Sequence, residues 1–218
     1  MEKVFLRGES LSFHSEAYRK VAANIEYANI DNDIKTIMLT SSLANEGKTT
    51  TICNLANVMT DLDKKILLID LDLRKPSVHK NYNLSNNGGL TGYLINKGDY
   101  KDYINNIDIG LDVMTSGRIP ANPSEIINSK AIKNLIKEVS VNYDYILLDT
   151  PPIALVSDPI TIATLADAVI LVIGYSETEK EIAKKSVDSL KRVNANIIGT
   201  ILNKYPMTKK NKYYYKYY

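Results

Sequence analysis

Short apolar runs alternate with helical patterns along most of the chain. Five runs rich in isoleucine, leucine and valine, without polar alternation, lie at residues 35–39, 64–70, 143–149, 167–173 and 196–203. Such runs are typical of strands that are buried on both faces of a sheet. Segments with helical periodicity lie between them, and strands that alternate with helices form βαβ units with a parallel sheet. The pattern therefore predicts an α/β fold, a mostly parallel sheet with helices on both faces.

Three longer helices are predicted, at residues 15–29, 49–60 and 178–193. The last of them would begin after Ser176 or Thr178, since either hydroxyl could cap its first turn. Residues 76–134 are less regular. Their weaker signals predict a short helix after a Gly-Gly turn (88–96), a strand leading into a turn (111–117) and a helix started by proline (120–127).

The composition is that of an ordinary globular protein. With 218 residues, 44% of them hydrophobic and 24% charged, the chain is long enough for one domain with a full-sized core. We expect this domain at residues 35–204, an N-terminal extension at 1–34 and a tail at 205–218. The single cysteine, Cys53, is expected to be a small core residue, and it suits a reducing cytoplasm. No signal peptide and no membrane-spanning run is predicted.

Charge is distributed unevenly along the chain. The formal net charge is +2, but residues 204–218 hold five lysines and no acidic residue. The rest of the chain then has 22 basic and 25 acidic residues. A slightly acidic body with a basic end is not the profile of a nucleic-acid-binding protein, so we expect no nucleic-acid partner.

The segment TSSLANEGKTT at residues 40–50 joins a predicted strand to a predicted helix. Gly-Lys-Thr at such a helix start is either a chance match or the end of a phosphate-binding loop (P-loop). In a P-loop, backbone amides surround phosphate oxygens, the lysine reaches the β- and γ-phosphates, and the hydroxyl binds Mg²⁺. Ser42 departs from the GxxxxGK[ST] pattern, because a glycine is expected there. The predicted nucleotide-contacting residues are Ser42, Asn45, Glu46, Gly47, Lys48, Thr49 and Thr50.

Aspartates follow two further buried strands. Asp70 and Asp72 end the run ILLIDLD, and Asp149 ends YDYILLD. Open α/β sheets bind ligands at the carboxyl ends of their strands, and Mg²⁺ prefers a few carboxylates with water and phosphate oxygens. Each aspartate could instead be a turn or a helix cap, but three of them in this order beside a P-loop predict that the chain binds a nucleotide and Mg²⁺. The predicted metal-binding set is Thr49, Asp70, Asp72 and Asp149.

The spacing of Asp70 and Asp72 suggests that the two carboxylates have different roles. If the strand continues through both, their side chains lie on one face, where one approaches the metal and the other meets a phosphate acceptor. A tyrosine acceptor has a pKa of about 10, so a carboxylate would help to align or deprotonate it. Arg74 is expected to bind phosphate or to hold these aspartates, unless it is an ordinary surface arginine.

Tyrosines are concentrated at the end of the chain. Five of the 15 lie in the last six residues, and the segment has no apolar period, so we expect a disordered tail rather than a packed element. Such a tail is either a sticky end or a multi-site phosphoacceptor. Each phosphate adds a charge of about −1.5 to −2, so a few would make the basic tail acidic. The candidate acceptors are Tyr213, Tyr214, Tyr215, Tyr217 and Tyr218.

The P-loop, LLIDLDLRKP, ILLDTPP and the tyrosine-rich end stand in the order found in bacterial tyrosine kinases (BY-kinases). The chain resembles, over nearly its whole length, the stand-alone CapB/CpsD type of capsule and exopolysaccharide systems. This resemblance implies ATP-dependent autophosphorylation of the tail, mainly between subunits, and regulation of polysaccharide synthesis and export. It also implies that Asn203 approaches the adenine, and that the catalytic residues are Lys48, Asp70, Asp72 and Arg74.

The same resemblance implies partners. A transmembrane polysaccharide co-polymerase would serve as the adaptor that recruits the cytoplasmic kinase to the inner face of the membrane and activates it. A cognate tyrosine phosphatase would reverse the reaction, and enzymes of sugar metabolism are candidate further substrates.

Two departures from the family pattern affect these expectations. Ala44 and Asn45 stand where the family's loop usually carries Pro-Gly, although asparagine tolerates unusual dihedral angles. The family's ExxRxxR motif, which joins subunits into a ring, reads here as Glu16, Arg19 and Ala22. Glu16 and Arg19 therefore remain candidate interface residues of a homo-oligomer, but the missing second arginine predicts a weakened ring, since a methyl group cannot replace a bidentate charge.

Two alternatives belong to other functional classes. A MinD/ParA-like positioning ATPase resembles this chain in fold, but it carries an extra lysine early in the P-loop, where this chain has Leu43, and it has no need of a tyrosine-rich tail. A non-catalytic adaptor that docks partners through its tail has no need of an intact P-loop with its aspartates.

Overall fold

In the computed structural model, residues 13–206 are described, and seven strands in that range form one sheet. The strands are β1 (Thr36–Ser41), β2 (Ile66–Asp70), β3 (Asn105–Asp108), β4 (Leu111–Met114), β5 (Tyr145–Asp149), β6 (Ala168–Gly174) and β7 (Ile197–Asn203). The helices of this range are α1 (Phe13–Ala28), α2 (Lys48–Thr60), α3 (Val78–Asn81), α4 (Gly89–Asn96), α5 (Pro123–Ile127), α6 (Lys130–Val139), α7 (Asp158–Ala163) and α8 (Lys180–Arg192), with a 3₁₀ turn at Tyr100–Tyr103.

The sheet is mostly parallel, with the strand order β3-β4-β2-β5-β1-β6-β7. Only β3 among these strands runs antiparallel, and it pairs with β4 at one edge. The predicted fold class is therefore confirmed. The five apolar runs form β1, β2, β5, β6 and β7, and the weaker signal at residues 111–117 forms β4.

Three elements were missed. The strand β3 has the polar sequence NNID and lies at the sheet edge, so it lacks the apolar run that indicates a buried strand. The helix α3 has four residues and is too short for a periodic signal. The helix α6 does carry a signal, because Ile132, Leu135, Ile136 and Val139 repeat at helical spacing and are all buried.

The start of α8 differs from the prediction. Glu179 is its N-cap residue, and neither Ser176 nor Thr178 caps the helix. Ser176 adopts a left-handed conformation with φ of 56° in the turn before it. The Thr178 hydroxyl is used elsewhere, in a hydrogen bond to Glu46 of the P-loop.

Side chains of the central strands alternate between two hydrophobic cores. In β1, Ile37 and Leu39 face the core covered by α1, α2 and α3, whereas Met38 faces the core covered by α4 to α8. Cys53 is fully buried in the first core, and burial raises the pKa of its thiol, as expected for a small core residue. Among the helices of residues 13–206, none has both the length and the apolar character that crossing a bilayer requires.

The N-terminal helix α1 is tied to the domain. Ala22 and Ile25 are buried in the core between α1 and α2. Arg19 lies 3.7 Å from Glu16 on the same helix and 3.5 Å from Asp61, which ends α2. Both charges proposed for the subunit interface therefore already have a partner within the chain.

The carboxyl ends of the parallel strands meet at one edge of the sheet. In register, Asp149 of β5 lies beside Leu39 of β1 on one side and beside Asp70 of β2 on the other. On the far side of β1, Asn203 of β7 lies beside Gly174 of β6. This edge, which we call the carboxyl edge, therefore brings the P-loop, the aspartates and the end of β7 together.

Candidate functional site

The P-loop leads from β1 to α2 through two left-handed residues. Gly47 caps α2 with φ of 87°, a conformation that favours glycine because a Cβ would clash with the backbone. Asn45 has φ of 66° and so takes the kind of conformation for which asparagine is the best tolerated side chain after glycine. Asn45 can thus serve where the family's loop carries glycine.

Lys48 is nearly buried at the start of α2, and its ammonium lies between two carboxylates. Its Nζ is 3.2 Å from Asp72 Oδ2 and 3.2 Å from Asp149 Oδ1. Burial acts to lower the pKa of Lys48, but the charges of Asp149, Asp72 and Asp70 raise it above its usual value. The lysine is therefore held in its charged form, as a phosphate-binding group must be.

The hydroxyl of Thr49 joins the P-loop to β5. It donates a hydrogen bond to Asp149 Oδ2 at 2.7 Å and accepts one from Ser77 Oγ at 3.1 Å. Hydroxyl and carboxylate together form the pair of oxygen ligands expected for Mg²⁺ in a P-loop protein. Ser77 was not singled out from the sequence, where nothing marks it beyond its place after DLDLRKP.

Asp70 and Asp72 do not share one strand face, because β2 ends at Asp70. Asp72 reaches the site and contacts Lys48. Asp70 instead turns to the following loop, where its carboxylate accepts hydrogen bonds from the backbone N–H groups of Asp72, Ser77 and Val78, each at 3.1 Å. The prediction that both side chains lie on one face of a strand is therefore wrong. Asp72 is the aspartate of the pair that faces the site.

The buried carboxylates carry more negative charge than Lys48 balances. Burial, followed by the charge of Asp149, raises the pKa of Asp70 to about 8, against the opposing charge of Lys48. Burial likewise raises the pKa of Asp149, although Lys48 and the hydroxyl of Thr49 oppose it. This carboxyl edge therefore favours the arrival of another cation.

Glu46 was predicted to contact the nucleotide, but its carboxylate points into the protein. It accepts hydrogen bonds from Leu43 N–H at 2.5 Å, from Gly174 N–H at 2.8 Å and from the hydroxyl of Thr178. Glu46 as a whole is 1% exposed. Glu46 therefore braces the P-loop against the turn after β6. Ser42 is also fully buried, and its Oγ has no hydrogen-bond partner in the described part of the chain.

The end of β7 is attached to the back of the P-loop. The side-chain amide of Asn203 donates to the Glu46 carbonyl at 2.9 Å. The ammonium of Lys204 lies 2.6 Å from the Asn45 carbonyl and 2.8 Å from Glu177 Oε2. In this arrangement Lys204, rather than Asn203, lines the cavity described below.

Arg74 does not hold Asp70 or Asp72. Its Nε donates to Asp158 Oδ2 at 2.7 Å, and Nη2 donates to Ser124 Oγ at 2.9 Å. Ser124 in turn donates to Asp158 Oδ1 at 2.7 Å, and the Asp158 side chain is 2% exposed. This triangle joins the loop after β2 to α5 and α7. Sequence reasoning missed its two partners, because a lone serine and a lone aspartate at helix starts usually act as caps.

A cavity of about 640 Å³ opens beside Lys48, Thr49 and Asp72. This volume lies within the range of about 300–1,000 Å³ that is usual for small-molecule sites. Of the other predicted residues, Asn45, Gly47, Thr50 and Arg74 line it as well. Further lining residues, not predicted from the sequence, are Ala44, Lys75, Pro76, Ser77, Lys80, Asn81, Pro151, Pro152, Leu155, Val156 and Lys204.

A divalent cation with a nucleotide fits this group of side chains. Within residues 13–206, no three acidic, histidine or cysteine side chains are placed to hold a metal ion by themselves. Mg²⁺ in phosphate-transfer sites commonly takes one or two carboxylates and completes its shell with phosphate oxygens and water. Thr49, Asp149 and Asp72 are the residues that would hold it, whereas the Asp70 oxygens are occupied by backbone N–H groups.

The tail predictions cannot be placed. Tyr213, Tyr214, Tyr215, Tyr217 and Tyr218 lie outside the described residues.

Fold and loop define the class of P-loop α/β proteins, and a family model described as an AAA domain matches residues 34–203. The tyrosine-protein kinase YwqD of Bacillus subtilis is 42% identical over 95% of this chain and 88% of its own length. The putative tyrosine-protein kinase CapB of Staphylococcus aureus is 35% identical over 98% of this chain and 94% of its own. The crystal structure of the chimerical protein CapA2B2 is 35% identical, has a TM-score of 0.86 and covers 94% of each chain.

This chain therefore belongs to the family of bacterial tyrosine-protein kinases. The resemblance seen in the motifs is confirmed, and with it the predicted enzyme class.

Replacing the bracing carboxylate should loosen the P-loop. In Glu46→Gln the amide NH₂ would face a backbone N–H or the Thr178 hydroxyl, so a buried donor loses its acceptor. We expect the free energy of unfolding to fall by about 1–3 kcal/mol, measured by urea denaturation. Glu177→Gln is the matched control, because this half-exposed carboxylate pairs with Lys204 and should contribute less than about 1 kcal/mol. Equal stabilities of the two variants would refute the bracing role.

The left-handed conformation of Asn45 predicts a second pair of variants. Asn45→Val should lose about 1–2 kcal/mol of stability, because a β-branched side chain is disfavoured at positive φ. Asn45→Gly keeps the conformation and should stay within about 0.5 kcal/mol of the parent. Urea denaturation of both variants, with their affinity for ATP, checks this. A valine variant as stable as the glycine variant would contradict it.

The raised pKa of Asp70 predicts how stability depends on pH. An unfolded aspartate titrates near 3.9, whereas folded Asp70 keeps its proton up to about pH 8, so between these values unfolding releases a proton. The free energy of unfolding should therefore fall by roughly 1–2 kcal/mol from pH 6.5 to pH 8. Burial lowers the pKa of His79, so its titration acts in the opposite direction and can only reduce the expected fall.

Urea denaturation of the nucleotide-free protein at the two pH values makes this measurement. Added Mg²⁺ with ATP is the control, since a bound cation should reduce the loss by favouring the ionised carboxylates. Stability that stays constant or rises over this window would show that Asp70 is ionised throughout.

Proposed function

We propose that this chain is an ATP-dependent protein-tyrosine kinase that phosphorylates its own C-terminal tyrosine cluster, mainly between subunits. It regulates capsule or exopolysaccharide synthesis and export together with a transmembrane polysaccharide co-polymerase as adaptor. The observation that carries the proposal is the group formed by Lys48, Thr49, Asp72 and Asp149, of which the first three line an open cavity and Asp149 contacts Lys48 and Thr49 from behind them. Membership of the tyrosine-kinase family supports the choice of acceptor.

Each side chain has a distinct role in the proposed transfer. Lys48 binds the β- and γ-phosphates through an ammonium that its carboxylate neighbours keep charged. Thr49 and Asp149, with Asp72 beside them, would hold Mg²⁺, and a bound ion would supply positive charge that offsets the developing charge on the phosphate oxygens. The tyrosine oxygen forms a bond to the γ-phosphorus while the bond to the ADP oxygen breaks. Asp72 faces the cavity and accepts or aligns the phenolic proton, because the neutral hydroxyl is a poor nucleophile.

The position of β7 supports the tail as acceptor. Asn203 and Lys204 lie against the P-loop, so the tail leaves the domain at the carboxyl edge. The ten residues from Asn203 to Tyr213 span at most roughly 33–36 Å when extended. A segment of this length is long enough for a tail tyrosine to enter the cavity of an adjacent subunit, as the proposal requires.

The contacts of α1 bear on oligomerisation. Ala22 is buried, and Arg19 is already paired with Glu16 and Asp61 within the chain. Both facts support the expected weakening of a ring held by this motif. Phosphatase, adaptor and further substrates remain proposals that rest on the family resemblance, as does recruitment to the inner face of the membrane.

Removal of the phosphate-binding ammonium tests the function. Lys48→Met should lower phosphotyrosine formation at least about 100-fold, since the lysine stabilises transferring phosphate. The purified full-length chain is incubated with Mg²⁺ and ATP, with and without the adaptor's cytoplasmic segment, and the products are mapped by mass spectrometry. Lys133→Met, an exposed lysine at the opposite edge of the sheet, is the control.

Phosphotyrosine within residues 213–218 is the expected product. ATP hydrolysis without protein-bound phosphate would instead favour the positioning ATPase. Nucleotide binding without either reaction would favour the non-catalytic adaptor.

A further inference from the structure

Five cationic side chains line the cavity, and three of them are paired with carboxylates. Lys48, Arg74 and Lys204 form the ion pairs described above. The other two, Lys75 and Lys80, have exposed side chains and no carboxylate within ion-pair distance among residues 13–206. The cavity therefore presents two positive charges that neither the fold nor the proposed transfer uses.

The backbone of both lysines is fixed close to the reacting groups. Lys75 N–H donates to Asp72 Oδ1 at 3.0 Å, and Lys80 N–H donates to the Ser77 carbonyl at 3.2 Å. Ser77 Oγ in turn contacts Thr49 Oγ1. The two lysines thus lie on the segment that carries Asp72 and Ser77, next to the group proposed to meet the acceptor and to the metal-binding hydroxyl.

The charge of the tail decides what these lysines can bind. Before any phosphorylation, residues 204–218 carry five lysines and no acid, so two free lysines at the cavity repel this segment. A phosphotyrosine brings about −1.5 to −2 charge and three strong acceptor oxygens. In an extended chain a residue one or two positions away lies within about 7 Å, so a phosphotyrosine can reach the lysines while its neighbour reaches Asp72.

We propose that Lys75 and Lys80 form a binding site for a phosphotyrosine already present on the acceptor chain, so that one phosphorylation promotes the next. This inference rests on the proposed function, and it adds a second ligand to the site. The first phosphate enters slowly against like charge. Later phosphates enter faster, because the product of one transfer becomes the anchor for the following one.

A binding measurement tests the site without requiring turnover. The full-length chain is used with its five tail tyrosines replaced by phenylalanine, so that its own tail cannot become phosphorylated. The probes are the peptide KKNKYYYKYY (residues 209–218), unmodified or with one phosphotyrosine at the position of Tyr215. We expect the phosphopeptide to bind about tenfold more tightly in fluorescence anisotropy, in view of its added charge.

Removing the two charges should abolish that preference. In Lys75→Gln/Lys80→Gln the two peptides should bind within about twofold of each other. The matched control is Lys133→Gln/Lys137→Gln, two lysines at the opposite edge of the sheet, which should retain the tenfold preference. A preference that persists without Lys75 and Lys80, or one that is lost equally in the control, would overturn the assignment.

Steady-state kinetics separates the two possible sources of phosphate. If Lys75 and Lys80 bind phosphotyrosine, Lys75→Gln/Lys80→Gln raises KM for the phosphopeptide about tenfold and leaves KM for ATP unchanged. A raised KM for ATP with an unchanged KM for the peptide would assign the lysines to the nucleotide and refute the proposal. Added salt should speed the first phosphorylation and slow the second, because both charge effects are screened.

These measurements also distinguish failure of the inference from failure of the proposed function. Preferential binding through Lys75 and Lys80 without transfer would support the phosphotyrosine site and refute the proposed phosphorylation of the tail. Transfer at equal rates to the unmodified peptide and the phosphopeptide would support the kinase function and refute the phosphotyrosine site.

Discussion

The buried ion cluster around Lys48 is the interaction on which the site depends. One ammonium lies between two carboxylates, with a third carboxylate in register on the neighbouring strand. A buried lysine without these partners would lose its proton, and buried carboxylates without the lysine would keep theirs. The cluster therefore holds the phosphate-binding charge in place, while its excess of negative charge leaves room for a metal ion.

The parallel sheet explains why such a cluster can form at all. Strands β2, β5 and β1 are adjacent: β5 ends in Asp149, β1 leads into the P-loop, and β2 leads into the loop that carries Asp72. Around them a second set of contacts fixes the loops. Glu46 attaches the P-loop to the turn after β6, Asn203 attaches it to β7, and Asp158 attaches the loop that carries Arg74 to α7. These supporting contacts are made by residues that are not proposed to react, so only a few side chains of the site take part in the transfer.

Sequence reasoning succeeded where a residue's role follows from its type and its place on a strand. Lys48, Thr49, Asp72 and Asp149 were predicted as one group because P-loop chemistry requires them in that order, and the structure brings them together. It failed where the role depends on the direction of a side chain. Glu46 faces inward although Asn45 and Gly47 on either side of it line the cavity, and Asp70 turns away because β2 ends there.

Contacts between distant segments were beyond such reasoning for a different reason. The pairing of Arg74 with Asp158 joins residues 84 positions apart, and neither residue carries a motif that names the other. The strand β3 was missed because a polar edge strand has no burial pattern. The helix α6 was also missed, although its four buried apolar residues at helical spacing were visible in the sequence.

The attachment of Lys204 to Asn45 has a consequence for how the protein is made. This hydrogen bond joins residues 159 positions apart, so the loop near the start of the domain is completed by the strand at its end. During synthesis the chain emerges from its N-terminus, and β7 is the last to follow among the strands of residues 13–206. A nascent or truncated chain that lacks β7 carries the P-loop sequence without its support from Asn203 and Lys204. The nucleotide site therefore closes only when the whole sheet has been built.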